Sequence, residues 1–229
     1  MTSAVTLRPA AEADAEAICL IYNQGIEDRI ATLETEPRTP VERRQWLASR
    51  SHRHPVIVAE ARVPERVERS EPQGRAGDSP GARLAGPPER SEPLGRAGDS
   101  PGARLAGPPE RSEPLGRAGD SPGARPMVVI AWGSLNQFNP RKAYEHVADF
   151  SVYVEREWRG KGVGRRLLDR LIELAREIGY HKMVLSTFPF NEPGVALYER
   201  LGFRRVGVYR EQGMLDGKWV DTLIMEKLL

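Results

Sequence analysis

A glycine-rich stretch between a strand pattern and a helix pattern restricts the possible folds of this chain more than any other feature. Residues 148–154 alternate in polarity and are rich in β-forming side chains. After the glycines of residues 159–164, apolar side chains recur at helical spacing, at Leu167, Leu168, Leu171, Ile172, Leu174, Ala175 and Ile178. A strand, a glycine loop and an amphipathic helix in this order predict an α/β fold in which the helix packs on a sheet.

The glycine stretch itself is suited to an anion. Glycines let the backbone approach a ligand closely, and the first amides of a helix lack intrahelical partners. Arg159, Lys161 and Arg165 add positive charge. A P-loop requires Ser or Thr after Gly-Lys, and a dinucleotide-binding loop requires glycine where this chain has Arg165, so both are disfavoured. A phosphate-binding loop and a tight turn without a ligand remain as interpretations.

Residues 68–125 differ from the rest of the chain. A 21-residue unit rich in Pro, Gly, Arg and Glu starts at Glu68, Glu89 and Glu110, and its third copy stops at Arg125. Its large apolar residues are four leucines, too few to offset the entropy of ordering such a segment. We therefore predict a disordered tandem-repeat insertion within a single domain spanning residues 1–229. Because loop closure entropy grows slowly with length, the insertion is expected in a hairpin loop.

The remaining 171 residues show a regular order of elements. Strands are predicted at residues 6–8, 56–59, 127–132, 148–154, 182–188, 204–209 and 219–227, and helices at 11–25, 40–50, 165–178 and 191–202. Asn191 is expected to cap the last helix, and Asp216 to lie in the final hairpin turn. The order β, α, α, β, β, β, α, β, α, β, β predicts one mixed sheet with helices on both faces.

Bulk properties exclude several functional classes. The formal net charge is +2, which provides no broad attraction for nucleic acid. Neither a signal-peptide pattern nor an apolar stretch of about 18 residues is seen, so we expect a cytoplasmic protein without a membrane partner. The single cysteine, Cys19, excludes an intrachain disulfide and is expected to serve packing. The four histidines show no metal-ligand spacing, so no metal is predicted.

Two motifs together resemble a known superfamily. The pattern Arg-X-X-Gly-X-Gly after a strand is similar to the pyrophosphate loop of GNAT-superfamily N-acetyltransferases, and residues 191–203 are similar to the next signature of that superfamily. Residues 21–23, 35–37, 144–149, 152–154 and 216–221 resemble the phosphinothricin/arsinothricin-type amino-acid N-acetyltransferases more closely. The resemblance covers the chain outside the repeat and implies a GNAT fold with acetyl-CoA as co-substrate.

The resemblance also implies which residues contact the cofactor. The pantetheine arm is expected along the strand at Val152, Tyr153 and Val154. Asn191 is expected near the pantetheine or the thioester. The pyrophosphate is expected at the loop formed by Arg159, Gly160, Lys161, Gly162, Val163, Gly164 and Arg165.

Two catalytic roles follow from the same resemblance, for direct transfer without a covalent enzyme intermediate. Asp149 stands where related enzymes carry a general base, and it would act through water or by orienting the amine; the alternative is a hydrogen-bonding residue at a strand end. Tyr198 stands where an acid protonates the departing thiolate, and its phenol remains protonated at neutral pH. The alternative for Tyr198 is simple packing beside Leu197 and Leu201.

The acceptor is less well defined. Arg141 and Lys142 are candidates to bind its carboxylate or phosphinate, with Tyr144 lining the pocket, although the two cations could equally be solvated loop residues. Relatives often carry a histidine in the final turn, where this chain has Asp216, and this departure puts a herbicide-like substrate in question.

Three functions therefore remain open. The first is an N-acetyltransferase for a small amino acid or an analogue such as phosphinothricin, arsinothricin or methionine sulfoximine, and many relatives of this kind form homodimers. The second is a protein N-terminal acetyltransferase of the ribosomal-protein type, which requires an open peptide groove. The third is a CoA-binding module without catalysis, which Asp149 and Tyr198 together disfavour.

Overall fold

A computed structural model describes residues 4–62 and 126–229 of the chain. Its strands are β1 (Thr6–Pro9), β2 (Val56–Arg62), β3 (Met127–Gln137), β4 (Val147–Val154), β5 (Lys182–Thr187), β6 (Arg204–Leu215) and β7 (Lys218–Leu228). Its α-helices are α1 (Ala15–Glu27), α2 (Pro40–Ala48), α3 (Val163–Ile178) and α4 (Glu192–Arg200). The predicted order of strands and α-helices is therefore observed. The predicted disordered repeat at residues 68–125 lies outside the described residues.

The seven strands form one mixed sheet, in the order β1-β2-β3-β4-β5-β7-β6. Neighbouring strands are antiparallel except β4 and β5, which run parallel. The β2–β3 pairing extends to Arg62 and Met127, the last and first residues of these strands. The repeat therefore lies in the connection between two paired antiparallel strands, as the sequence predicts.

Both faces of the sheet are covered, because alternate strand residues point to opposite sides. On β2, Ile57, Ala59 and Ala61 join the core that contains the apolar stripe of α3. Val56 and Val58 join a second core with α1 residues such as Ile18 and Ile21. The helices therefore sandwich the sheet, and the predicted fold class is confirmed.

Local signals explain several of the helix ends. Thr39 and Glu42 form a reciprocal capping box at the start of α2, whose first residue is Pro40. Gly179 ends α3 in the left-handed conformation, with φ of 89°. None of the helices in residues 4–62 and 126–229 is long and apolar enough to span a bilayer.

Two elements differ from the sequence expectation. The helix predicted from residue 11 begins with a 3-10 turn, and α1 starts at Ala15 because the Asp14 carboxylate accepts a hydrogen bond from the Ala11 amide at 2.7 Å. Strand β6 extends to Leu215 rather than to residue 209. Its register shifts between Tyr209 and Gly213, and the polar residues of this irregular stretch hide the continuation of the strand.

Candidate active site

The candidate active site begins where two parallel strands separate. Strand β4 pairs with β5 only at Val147, Ala148 and Asp149. Beyond Asp149, β4 stays paired with β3 as far as Val154, whereas β5 continues alongside β7. One edge of β4 is thus left open along its second half.

Hydrogen bonds around β4 show which backbone groups face this open edge. The Glu155 amide donates to Ile130 of β3 at 2.9 Å, so the odd-numbered residues direct their amides toward β3. On the other side, the Phe150 amide donates to the Asp149 carboxylate at 2.8 Å, and the Val154 carbonyl accepts from Arg159 Nε at 3.0 Å. By the same alternation the Val152 amide faces the open edge, where an extended ligand can pair with it as a strand would.

A cleft of about 780 Å³ follows this open edge to the start of α3. Nine of the eleven predicted cofactor residues line it: Val152, Tyr153, Val154, Arg159, Gly160, Gly162, Gly164, Arg165 and Asn191. Lys161 and Val163 do not, and Val163 is buried in the core beneath the loop. Tyr198 of α4 also lines the cleft.

The glycine loop has the backbone geometry of an anion site. Gly160 and Gly162 have φ of 72° and 80°, a left-handed conformation that side chains disfavour. The first intrahelical bond of α3 runs from the Arg166 amide to the Gly162 carbonyl at 3.2 Å, so the amides of residues 163–165 precede the helical ladder. A Cβ on Gly164 would lie 3.5 Å from Val154 and 3.6 Å from Leu197, so this glycine leaves a hollow that a side chain could fill.

The three cations of the loop are arranged differently from one another. The guanidinium of Arg159 is held in place by two contacts. Its Nε donates to the Val154 carbonyl, and it contacts Asp28 at 2.5 Å. Lys161 is exposed, with its Nζ 5.2 Å from the centre of the Trp158 ring. Arg165 is exposed as well and lies 3.7 Å from Asp169. Of the three, Lys161 and Arg165 keep their charges most available to a ligand.

Both predicted catalytic residues have raised pKa values. Burial raises the pKa of Asp149 to about 6, although the hydrogen bond from the Phe150 amide acts in the opposite direction. Burial, reinforced by the negative charge of Asp149, raises the pKa of Tyr198 to about 12. The ring of Tyr198 packs edge-on against Phe150, with centroids 5.9 Å apart. Tyr198 is therefore both a packing residue and a protonated donor at the cleft surface.

Asn191 is engaged within the protein. Its side chain accepts a hydrogen bond from the Gly194 amide at 3.2 Å and so caps α4, as predicted. It also donates to Thr187 of β5 at 3.4 Å. A Cβ on Gly194 would come within 2.6 Å of the Asn191 amide nitrogen, which explains the glycine at this position.

The residues predicted to bind the acceptor lie outside the cleft lining. Arg141, Lys142 and Tyr144 belong to an exposed turn between β3 and β4. The structure places this turn just before the strand that carries Asp149. No contact in the described part of the chain brings the three side chains to the glycine loop.

A loop far away in sequence supplies another part of the cleft. Ile30 and Ala31, which follow α1, line it together with Gly25. The loop rests on the β6–β7 hairpin, because Leu33 occupies the space beside Gly213 where a Cβ would clash at 2.6 Å. Arg29 also binds Asp216 through two hydrogen bonds of 3.1 and 3.0 Å, across 187 residues of sequence. Sequence reasoning missed these residues, since no local motif marks them.

Within the described residues, Cys19 and the potential metal ligands do not form a competing site. Cys19 is buried in α1 and its thiol donates to the Arg38 carbonyl at 3.0 Å, while burial raises its pKa. Among residues 4–62 and 126–229, no three His, Cys, Asp or Glu side chains are grouped so as to hold a metal ion.

Comparisons with known proteins agree with this geometry. The model of the acetyltransferase (GNAT) family matches residues 115–203. The phosphinothricin N-acetyltransferase of Streptomyces coelicolor is 28% identical over 228 residues, covering 100% of this chain and 98% of that protein. An L-methionine sulfoximine/L-methionine sulfone acetyltransferase of Pseudomonas aeruginosa is 36% identical over 98 residues, which cover 43% of this chain and 57% of that enzyme.

A solved structure extends the comparison to the whole fold. The crystal structure of a ribosomal-protein-alanine N-acetyltransferase from Brucella melitensis is 26% identical, covers 98% of this chain and 99% of its own, and superposes with a TM-score of 0.65. The family match, the full-length relative and the shared fold lead to one conclusion. The chain has the fold of the GNAT acetyltransferases, and its similarities support an N-acetyltransferase enzyme.

Proposed function

We propose that this protein transfers the acetyl group of acetyl-CoA to the amino group of a small amino acid or an amino-acid analogue. The observation that carries the proposal is the open edge of β4, which leads directly to the left-handed glycines and free amides at the start of α3. An extended arm followed by a pyrophosphate has the shape and charge that this arrangement accepts. Acetyl-CoA is such a molecule.

The residues divide the binding of the donor between them. The Val152 amide, which faces the open edge of β4, would pair with the pantetheine arm. Amides at Val163 and Gly164 would hold the pyrophosphate, with Lys161 and Arg165 supplying positive charge nearby. Recognition of the donor therefore relies mainly on the backbone.

The chemistry requires a neutral amine to attack the thioester carbonyl and a proton for the departing thiolate. The amine forms the new C–N bond as the C–S bond breaks. Asp149, with a pKa of about 6, is ionised at neutral pH and would orient the ammonium group and accept its proton through water. Tyr198, with a pKa of about 12, would donate a hydrogen bond to the sulfur as the C–S bond breaks, and the second proton that the nitrogen loses on becoming an amide would pass through this hydroxyl to the thiolate.

The acceptor class follows from the relatives and from the surroundings of Asp149. The two curated relatives described above are named for phosphinothricin and for methionine sulfoximine or sulfone, which are amino-acid analogues. We propose that Arg141 and Lys142 bind the acceptor's acidic groups, with Tyr144 at the pocket rim. Their exposed turn lies next to the end of β4 that carries Asp149.

A protein N-terminal acetyltransferase is the second candidate. It is favoured by the similarity to the ribosomal-protein-alanine enzyme, whose 26% identity to this chain is close to the 28% identity of the phosphinothricin enzyme. A peptide acceptor needs an open groove. We rank the small amino acid first because the two curated relatives described above are named for amino-acid analogues.

A thiol-release assay with acetyl-CoA separates these functions. The purified chain is tested against phosphinothricin, methionine sulfoximine, the free amino acids and short peptides with different first residues. Release with a free amino acid or an analogue is expected. Release with peptides alone would establish the second candidate, and tight CoA binding without release would indicate a non-catalytic module.

A further inference from the structure

Two acidic residues end α1 at a place where a helix disfavours negative charge. The last residue of α1 is Glu27, and Asp28 caps its C-terminus. The exposed carbonyls of this end already carry partial negative charge, so carboxylates are destabilising there unless a cation compensates them. The placement of Asp28 therefore needs an explanation from its contacts.

Two arginines beyond β4 provide the compensation. Arg156 contacts Asp28 at 2.7 Å and Glu27 at 2.6 Å, while Arg159 contacts Asp28 at 2.5 Å. The hydrogen bond from Arg156, followed by that from Arg159, holds the pKa of Asp28 below its ordinary value. Asp28 is thus a carboxylate throughout the neutral range, shared between two guanidinium groups.

The contact with Arg159 connects three elements of the cleft. The same guanidinium donates through Nε to the carbonyl of Val154, the last residue of β4. Arg159 immediately precedes the left-handed Gly160 of the loop. A continuous chain of bonds therefore runs from α1 through Asp28 and Arg159 to the end of the open strand edge.

We propose that Asp28 is a positioning residue for the donor site: by holding Arg159 against Val154, it fixes the start of the glycine loop relative to β4. The proposal rests on the proposed binding of acetyl-CoA at this loop. Binding of the donor to a loop that is already rigid costs less conformational entropy than binding to a loose loop that must first be ordered. Losing Asp28 should therefore weaken donor binding. It should leave the chemical step intact, because Tyr198 lies on α4 and Asp149 lies at the opposite end of the open edge of β4 from Val154.

Glu27 provides a matched control from the same helix end. It is more exposed than Asp28, with 58% of its side chain accessible against 23%, and its ion pair is with Arg156 alone among the described contacts. Glu27→Gln removes one negative charge at nearly the same place without touching Arg159. Any general effect of charge at the end of α1 would appear in both variants.

The test compares Asp28→Asn, Asp28→Glu and Glu27→Gln by steady-state kinetics and by calorimetric titration with CoA. We expect Asp28→Asn to raise the KM for acetyl-CoA and the Kd for CoA about tenfold, in the range of one charge-assisted hydrogen bond. Its kcat and acceptor KM should stay within about twofold, Asp28→Glu should recover part of the loss, and Glu27→Gln should bind CoA like the wild type.

Several results would overturn the proposal. One is an equal loss in Glu27→Gln; another is an effect confined to kcat or to the acceptor KM. Tighter CoA binding by Asp28→Asn would also do so, because it would show that Asp28 restrains a phosphate-binding charge instead of positioning the loop. If wild-type protein itself does not bind CoA, the proposed function fails instead, and the two failures are distinguished by that control.

Discussion

Two walls of the cleft are built in different ways. The donor wall, residues 152–165, is continuous in sequence and presents backbone amides and glycines. The loop wall is formed by Ile30 and Ala31, and the loop that carries them, residues 29–33, rests on the β6–β7 hairpin through side-chain contacts across 187 residues of sequence. A wall made of backbone amides and glycines tolerates few substitutions at its glycines, which suits a ligand that does not change. A wall held by side-chain contacts can change its shape by substitution and so can adapt to different substrates. If the loop wall borders the acceptor, donor and acceptor binding should respond to different substitutions, and variants of the two walls test this.

The largest expected effect is at Tyr198, which lines the same cleft. Tyr198→Phe removes the hydroxyl but keeps the ring packed against Phe150. We expect kcat to fall about 100-fold, as for the loss of one acid–base group, with little change in either KM. Tyr180→Phe serves as the control, because the Tyr180 hydroxyl donates to the Arg53 carbonyl away from the cleft lining. A change of less than about twofold in kcat would reduce Tyr198 to a packing residue.

The ionisation of Asp149 gives the next effect. If the carboxylate is the active form, kcat/KM should fall about tenfold per pH unit below the pKa of about 6, and Asp149→Asn should remove this limb. Stability should change in the opposite direction. Because the folded pKa is raised, the folded state holds the proton between about pH 4 and 6 while the unfolded chain has lost it, so stability falls as pH rises through this window.

Asp149→Asn should consequently be more stable than the wild type at pH 7 to 8 and less active. Thermal unfolding monitored at pH 5 and pH 8 checks the first point, and a pH–rate profile checks the second. An unchanged acid limb in the variant would assign that limb to another group. Equal stability of the two proteins at pH 8 would argue against a raised pKa.

Backbone strain introduced in the donor wall should weaken the binding of acetyl-CoA selectively. Gly162 and Gly179 lie at the two ends of α3 with φ of 80° and 89°, and neither has a neighbour that an added Cβ would touch. Gly162→Ala and Gly179→Ala should each cost about 1 kcal/mol of unfolding free energy. We expect Gly162→Ala to raise the KM for acetyl-CoA about fivefold to tenfold as well, because its loop is the proposed pyrophosphate site. An equal effect of Gly179→Ala on this KM would contradict the donor-wall assignment.

The smallest effect is expected in the loop wall. Arg29 adopts φ of 54° just after α1, a position that favours glycine, and its ion pair with Asp216 is exposed. Arg29→Gly relieves the strain and loses a surface ion pair worth about 0–1 kcal/mol, so the unfolding free energy should change little. The acceptor KM should rise about threefold, since the loop loses one anchor.

The salt dependence of that acceptor KM provides a second measure. High ionic strength should raise the acceptor KM of the wild-type enzyme toward that of Arg29→Gly, because exposed ion pairs are screened. Arg210→Ala is the matched control, since Arg210 pairs with Asp221 on the same hairpin at 2.6 Å. If it raises the acceptor KM equally, the effect belongs to the hairpin in general and not to the Arg29–Asp216 contact.

Much of the fold was readable from the sequence, and the reason differs among elements. The stripe of α3 and the caps at Thr39, Gly179 and Asn191 depend on residues within a few positions, so their signals survive in one dimension. Strand β6 was predicted too short because its second half is irregular and is specified by pairing with β7. The candidate site shows the same division, since the glycine loop was predicted whereas Asp28, Ile30 and Ala31 were not.

The sequence by itself determined the order of elements, the glycine loop, and the candidate pair Asp149 and Tyr198. These depend on local spacing and on motifs. The tertiary structure alone decided where β4 and β5 separate, that Arg159 is bound by Asp28, and that the turn of Arg141 lies outside the cleft lining. Such features arise from strand register and from ion pairs between distant segments, and neither leaves a periodic trace along the chain.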